Sequence, residues 1–224
     1  MKKQILMVAA VALALGGCSK TETTEVAQGR AIGFDAFVGK STKAVTEVTD
    51  NNLTEFYVFG NYQNEQSWVD VFDNTQVTGT TVGASSEWTP AQTAYWLDGK
   101  IYKFGAYANG NGGKLESGVS FDPETETLKF ENYDVTAEGT GDLIAAVPAS
   151  VTPKQPVALT FNHMLSQVKF TFTNEDADTY TMKISDIKIE SAVTTCTGTY
   201  TNTDGASWNG GTANGTYDFG TLDN

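Results

Sequence analysis

Alternation with a period of two governs this chain. Ile32, Phe34, Ala36 and Val38 fall on one face, with Gly33, Asp35 and Phe37 between them. Tyr102, Phe104, Ala106 and Ala108 repeat the pattern, as do Val157, Leu159 and Phe161, and then Val168, Phe170 and Phe172. Successive side chains of a strand point to opposite faces, so strict alternation predicts half-buried antiparallel strands. Tyr180, Met182 and Ile184 are in phase but Ile187 and Ile189 are not, which predicts a bulge at Ser185-Asp186. No stretch shows a 3.6-residue period with caps. The expected class is all-β, with strands at sandwich spacing.

Turn residues punctuate the strands. Asp98-Gly99 predicts a two-residue hairpin, and Asn109-Gly110, Asp204-Gly205, Asn209-Gly210 and Asn214-Gly215 predict further turns. Pro148, Pro153 and Pro156 cluster between two strands. They suit either a boundary between two sandwiches or a long loop within one. The boundary is placed there, giving a first domain over 31–153 and a second beginning at 154 and running to 224.

The first residues are of another kind. Met1-Lys2-Lys3 is basic, Ile5 to Leu15 is apolar, and Leu15-Gly16-Gly17-Cys18 closes the run. About eleven apolar residues fall short of the roughly 20 that span a bilayer. The pattern predicts a signal peptide over 1–17 with a lipobox, so that Cys18 is acylated and becomes the first mature residue. Acyl chains contribute about 0.8 kcal/mol per buried CH₂, and two or three anchor a protein stably. Residues 18–30 are then a lipidated tether, polar and threonine-rich.

Charge narrows the partners. Loss of residues 1–17 removes Lys2 and Lys3 and no acid, leaving 12 basic against 27 acidic residues and moving the net charge from −13 to −15. Such a chain repels nucleic acid. With Cys18 acylated, Cys196 has no partner for a disulfide and reads as a small apolar strand residue.

The chemistry of an enzyme is not visible. His163 continues the face of Val157, Leu159 and Phe161 and reads as a hydrogen-bonded histidine at a core edge. Asp122, Glu124 and Glu126 lack the spacing of a calcium loop and read as a solvated hairpin. No nucleophile elbow, phosphate loop or Cys/His dyad occurs. No catalytic residue, metal site or cofactor is expected. Trp88, beside Thr89-Pro90 in an expected loop, is the best candidate among the tryptophans for stacking on a sugar, with core or rim packing as the favoured reading.

Several ordered segments carry a resemblance. They are the lipobox, Leu53-Thr-Glu-Phe-Tyr-Val-Phe, Tyr95-Trp96, Lys103-Phe-Gly-Ala-Tyr-Ala, Asp142-Leu-Ile-Ala-Ala and, most specifically, Leu159-Thr-Phe-Asn-His-Met-Leu-Ser-Gln-Val-Lys-Phe. Through them nearly the whole chain resembles the fimbrillin-like family, the lipoprotein-derived subunits of type V pili. The resemblance implies two tandem transthyretin-like β-sandwiches, the second incomplete here, and a place in a fimbrium at the outer membrane surface. It also implies strand exchange: a protease removes the first strand, and a neighbouring subunit's strand fills the groove. The removable strand would carry Ile32, Phe34, Ala36 and Val38.

Family members are commonly cut between Arg and Ala. Here the matching bond is Lys43-Ala44, and the one arginine, Arg30, precedes the strand. The end, Tyr217 to Asn224, is short and polar, unlike a family donor strand. Expected partners are other pilus subunits, the outer membrane through Cys18, and a host or microbial surface receptor. The alternative is a monomeric glycan-binding surface lipoprotein.

Overall fold

The computed structural model describes residues 30–39, 48–80, 87–110, 113–135, 141–166, 168–175, 179–211, 213–220 and 222–223. Cys18, Lys43 and Ala44 lie outside them, as do the signal peptide and nearly all of the tether. Every regular element among the described residues is a strand, so the fold is all-β. The first nine are β1 (Phe34–Val38), β2 (Glu55–Asn64), β3 (Ser67–Gly79), β4 (Trp88–Pro90), β5 (Tyr102–Asn109), β6 (Val119–Asp122), β7 (Thr127–Asp134), β8 (Leu143–Ala146) and β9 (Val157–His163). They are followed by β10 (Lys183–Ile184), β11 (Lys188–Val193), β12 (Thr195–Thr201), β13 (Gly205–Asn209), β14 (Ala213–Asp218) and β15 (Leu222–Asp223).

Seven strands close on themselves in the order β1-β4-β3-β2-β5-β8-β9. All neighbours are antiparallel except β1 and β9, which run parallel. The interior is lined by the alternating residues: Ile32, Phe34, Ala36 and Val38, then Tyr102, Phe104, Ala106 and Ala108, then Val157, Leu159 and Phe161. The proline cluster is the connection from β8 to β9. β9, which the expected boundary assigns to the second domain, is hydrogen-bonded on both sides within this closed sheet.

A second sheet, in the order β13-β12-β7-β6, covers one outer wall. Tyr57, Phe59, Tyr107, Leu143 and Ala145 point outward from the barrel and meet Leu128, Phe130, Tyr133 and Tyr200 from that sheet. β2, β5 and β8 are therefore buried on both faces over most of their length. That is why Phe56-Tyr-Val-Phe and Leu143-Ile-Ala-Ala are continuous apolar runs rather than alternating ones.

The remaining strands form two small ribbons, β10 with β15 and β11 with β14. The phase break at Ser185-Asp186 is present, with Asp186 at φ +58°. It separates two strands that pair with different partners, where a bulge within one strand was expected. The ladder irregularity lies instead between Ile189 and Val193, where Ser191 has φ +56°. Val168, Phe170 and Phe172 differ most from expectation. No strand is assigned to them and all three are exposed.

The turn at Asp98-Gly99 exists, with Gly99 at φ +71°, but it does not join two laddered strands. Before it, Trp96 is buried against Tyr102 and Leu97 N–H donates to the Tyr102 hydroxyl at 2.7 Å. Side-chain packing sets this approach rather than a hairpin ladder.

Candidate strand-exchange groove

The expected removable strand is β1, and its contacts define the site. β1 pairs with β9 along its whole length, from Phe34 opposite Val157 to Val38 opposite Phe161. On its other side it pairs with β4 only at Phe34 opposite Trp88. Flanking bonds extend the grip. Ile32 N–H donates to Ala94 O at 2.9 Å, Val157 N–H to Gly33 O at 2.8 Å, and Gly39 N–H to Phe161 O at 2.7 Å. Parallel ladders are slightly weaker per residue than antiparallel ones. β1 is thus the strand through which the barrel closes, held well on one side and sparsely on the other.

Its inward face is fully used. Phe34 packs on Phe72, Phe56 and Phe104, with ring centroids 5.6, 5.9 and 6.1 Å away. Burying Ile, Phe or Val stabilises by about 1.5–3 kcal/mol each. Asp35 and Phe37 face solvent.

Arg30 lies at the entrance to this strand. Its guanidinium donates to Lys154 O at 3.0 Å, and its own carbonyl accepts from Trp96 N–H at 3.1 Å. Ala31 is bridged to Tyr95. The Arg30-Ala31 bond therefore sits inside a β-bridge, where a protease that binds extended substrate cannot pair with it.

Beyond β1 the chain is anchored again at Val48. Val48 N–H donates to Asp142 Oδ2 at 2.9 Å, and the same oxygen lies 2.7 Å from His163 Nδ1. Asp142 precedes β8 and His163 ends β9, opposite Ile144. His163 thus sits at a core edge with a carboxylate partner, as its place in the sequence predicts. Asp50 Oδ1 accepts from Val38 N–H at 2.5 Å, which ties the end of β1 to the segment that follows. The last described bond of the strand is at Gly39 and the first of the body at Val48, so Lys43 and Ala44 lie between the two anchors.

Trp88 is elsewhere than the sequence suggested. Its indole is 9% exposed, inside the barrel, with its ring 5.0 Å from that of Phe56. The Pro90 beside it sits at the end of β4 opposite Val77, a place where a strand tolerates proline. A buried indole offers no face to a sugar, and core packing, the favoured reading, is what the structure has.

The other candidates are structural. Asp122 spends its carboxylate on the turn after β6, accepting from Glu124 N–H at 2.9 Å and from the Thr125 hydroxyl at 2.8 Å. Chiefly the Thr125 bond lowers its pKa. Cys196 lies in β12, and burial raises its thiol pKa. Among the described residues no three His, Cys, Asp or Glu side chains gather as a metal site requires.

Sequence reasoning passed over Gly60. It lies in the middle of β2, opposite Phe72 on β3 and Phe104 on β5. The sequence offered only a glycine inside an apolar strand; the phenylalanines across both ladders became visible with the register.

No curated protein sequence matches the chain significantly. A candidate cell adhesion protein from Bacteroides uniformis aligns in structure at 19% identity with a TM-score of 0.44, over 82% of this chain and 68% of its own. A fimbrial protein from Bacteroides ovatus aligns at 12% identity with a TM-score of 0.32, over 87% of this chain and 47% of its own. The chain spans about half the length of that second protein. The sequence profile of the fimbrillin-like family matches residues 42–221, most of the chain and all of the barrel except β1. The chain therefore belongs to the fimbrillin-like family.

Proposed function

We propose that this protein is exported as a lipoprotein acylated at Cys18 and joins an outer-membrane fimbria by strand exchange after β1 is removed. One observation carries the reading. β1 closes the barrel through a full parallel ladder on one side and a single pair on the other, and its apolar face fills the core. Its loss would leave unpaired backbone on β9 and an open apolar groove, which a donor strand from a neighbouring subunit satisfies. Cleavage at Lys43-Ala44 frees the strand while Val48 keeps the body's end fixed at Asp142. Cleavage at Arg30 leaves the strand in place. In this reading the first unit includes β12 and β13, which complete the outer sheet with β6 and β7.

The test is the N-terminal residue of subunits recovered from surface polymers, in the wild type and in Lys43→Gln. Subunits beginning at Ala44, with polymers lost in Lys43→Gln, support the mechanism. Polymers whose subunits begin at Cys18 or Ala31 would refute it. The anchor is tested separately: Cys18→Ala should abolish incorporation of labelled fatty acid and release the protein from the membrane fraction.

A further inference from the structure

The groove beneath β1 is apolar, and its shape is set by one glycine. Gly60 stands directly across from Phe72 on one neighbour and Phe104 on the other. An ideal Cβ on Gly60 would stand 2.7 Å from Phe104 Cε1 and 3.0 Å from Phe72 Cδ2. Carbon atoms in contact sit about 3.5–4.0 Å apart. Both rings therefore lie against bare backbone, and only glycine permits it. Phe34 of β1 packs on these same two rings and on Phe56. Two residues along, β1 presents only the methyl of Ala36, which is buried as well. Ile32 and Val38 fill the ends.

We infer that Gly60, Phe56, Phe72 and Phe104 form an aromatic-selective pocket that reads the strand entering this groove. Resting on the strand-exchange reading, this assigns the chemistry of the partner: an extended segment of a neighbouring subunit with the inward pattern aliphatic, aromatic, small, branched. The aromatic side chain occupies the Phe34 position and a small residue the Ala36 position. Protein interiors are close-packed, so a misplaced large side chain is rejected as firmly as a missing one leaves a void. Gly60 thereby determines specificity without touching the strand backbone itself.

The test uses the full chain cut between Lys43 and Ala44, with a protease site inserted at that bond. Fluorescent peptides covering residues 30–39 compete for the groove. The native peptide should exchange into it. Its Phe34→Ala variant should bind about 100-fold more weakly or worse, as a truncated core phenylalanine implies. Its Ala36→Phe variant should fail to compete. Equal binding by all three overturns the pocket while leaving strand exchange standing. Failure of every peptide, the native one included, overturns strand exchange and this inference with it.

A second measurement, in the uncut chain, isolates Gly60. Gly60→Ala should lower Tm. Phe34→Leu should lower Tm in the wild type but raise it in the Gly60→Ala background, because a smaller side chain accommodates the displaced rings. The same direction of change in both backgrounds would overturn the assignment of Gly60.

Discussion

Two stretches of this chain share one pattern and meet different fates. Ile32 to Val38 and Val168 to Phe172 both alternate apolar and other residues. The first is a strand with every inward residue buried. In the second, Phe170 and Phe172 are 41% and 44% exposed, and Phe170 meets Phe172 and Phe219 at ring-centroid distances of 6.5 and 5.2 Å. Alternation states that a segment has an apolar face. Whether it becomes a strand depends on a sheet edge and a core at the same place. β1 has β9 on one edge and a ring of phenylalanines beneath it, whereas no sheet receives 168–172 among the described residues.

The comparison predicts unequal costs for one substitution. Phe34→Ala should destabilise by about 3–5 kcal/mol in urea unfolding, as truncation of a buried aromatic does. Phe170→Ala should stay within about 0.5 kcal/mol, as exposed substitutions do. Equal costs would show that the two stretches are packed alike. Next in size is the tie that holds the segment after β1. Asp142→Ala or His163→Gln should cost on the order of 1–3 kcal/mol through partners left unmatched. If either instead left stability intact and abolished ligand binding, His163 would belong to a functional site.

A smaller effect separates the layers by pH. Tyr107 and Tyr133 lie between barrel and outer sheet, and burial raises both phenol pKa values, with Asp142 adding to the second. Tyr57 is pushed up to about 12 for the same leading reason. Above the ordinary tyrosine pKa of about 10 the unfolded chain loses protons that the folded chain keeps, so stability should fall as pH rises past that value. Phenolate absorbance and unfolding midpoints followed together check it; a midpoint flat through this range contradicts it. The smallest expected change is Phe172→Ser, which should leave Tm nearly unaltered while reducing binding of a hydrophobic dye. A large drop in Tm would mean that the exposed strip is covered in solution.

Much of the barrel was legible because β1 and β9 bury one face each and the inward residues of β5 keep the same period. β1, β5 and β9 follow directly from their alternation, and His163 from its place at the end of one face. The all-β class followed from the same pattern. Trp88 was rightly favoured as a packing residue but placed in a loop, because Thr89-Pro90 looks like one and local sequence does not reveal that β4 is a three-residue strand. The pairing of β12 with β7 joins residues 61 to 72 positions apart, from Thr195 opposite Asp134 to Tyr200 opposite Leu128. Such registers leave no local signature. The link from Asp142 to Val48 and His163 was invisible for the same reason. Gly60 was hidden differently, since a strand glycine means little until the residues across both ladders are known.

The layer that is covered on both sides has a consequence for the timing of solvent access. Amides of β5 lie behind the barrel core on one face and the outer-sheet core on the other. They should exchange with deuterium only when the whole domain opens. Amides of β1 can be reached by a smaller opening that releases one strand and leaves the rest standing. Deuterium labelling should therefore resolve a fast class at 34–38 and a slow class at 102–109. That gap measures how nearly independent the closing strand is of the body it seals.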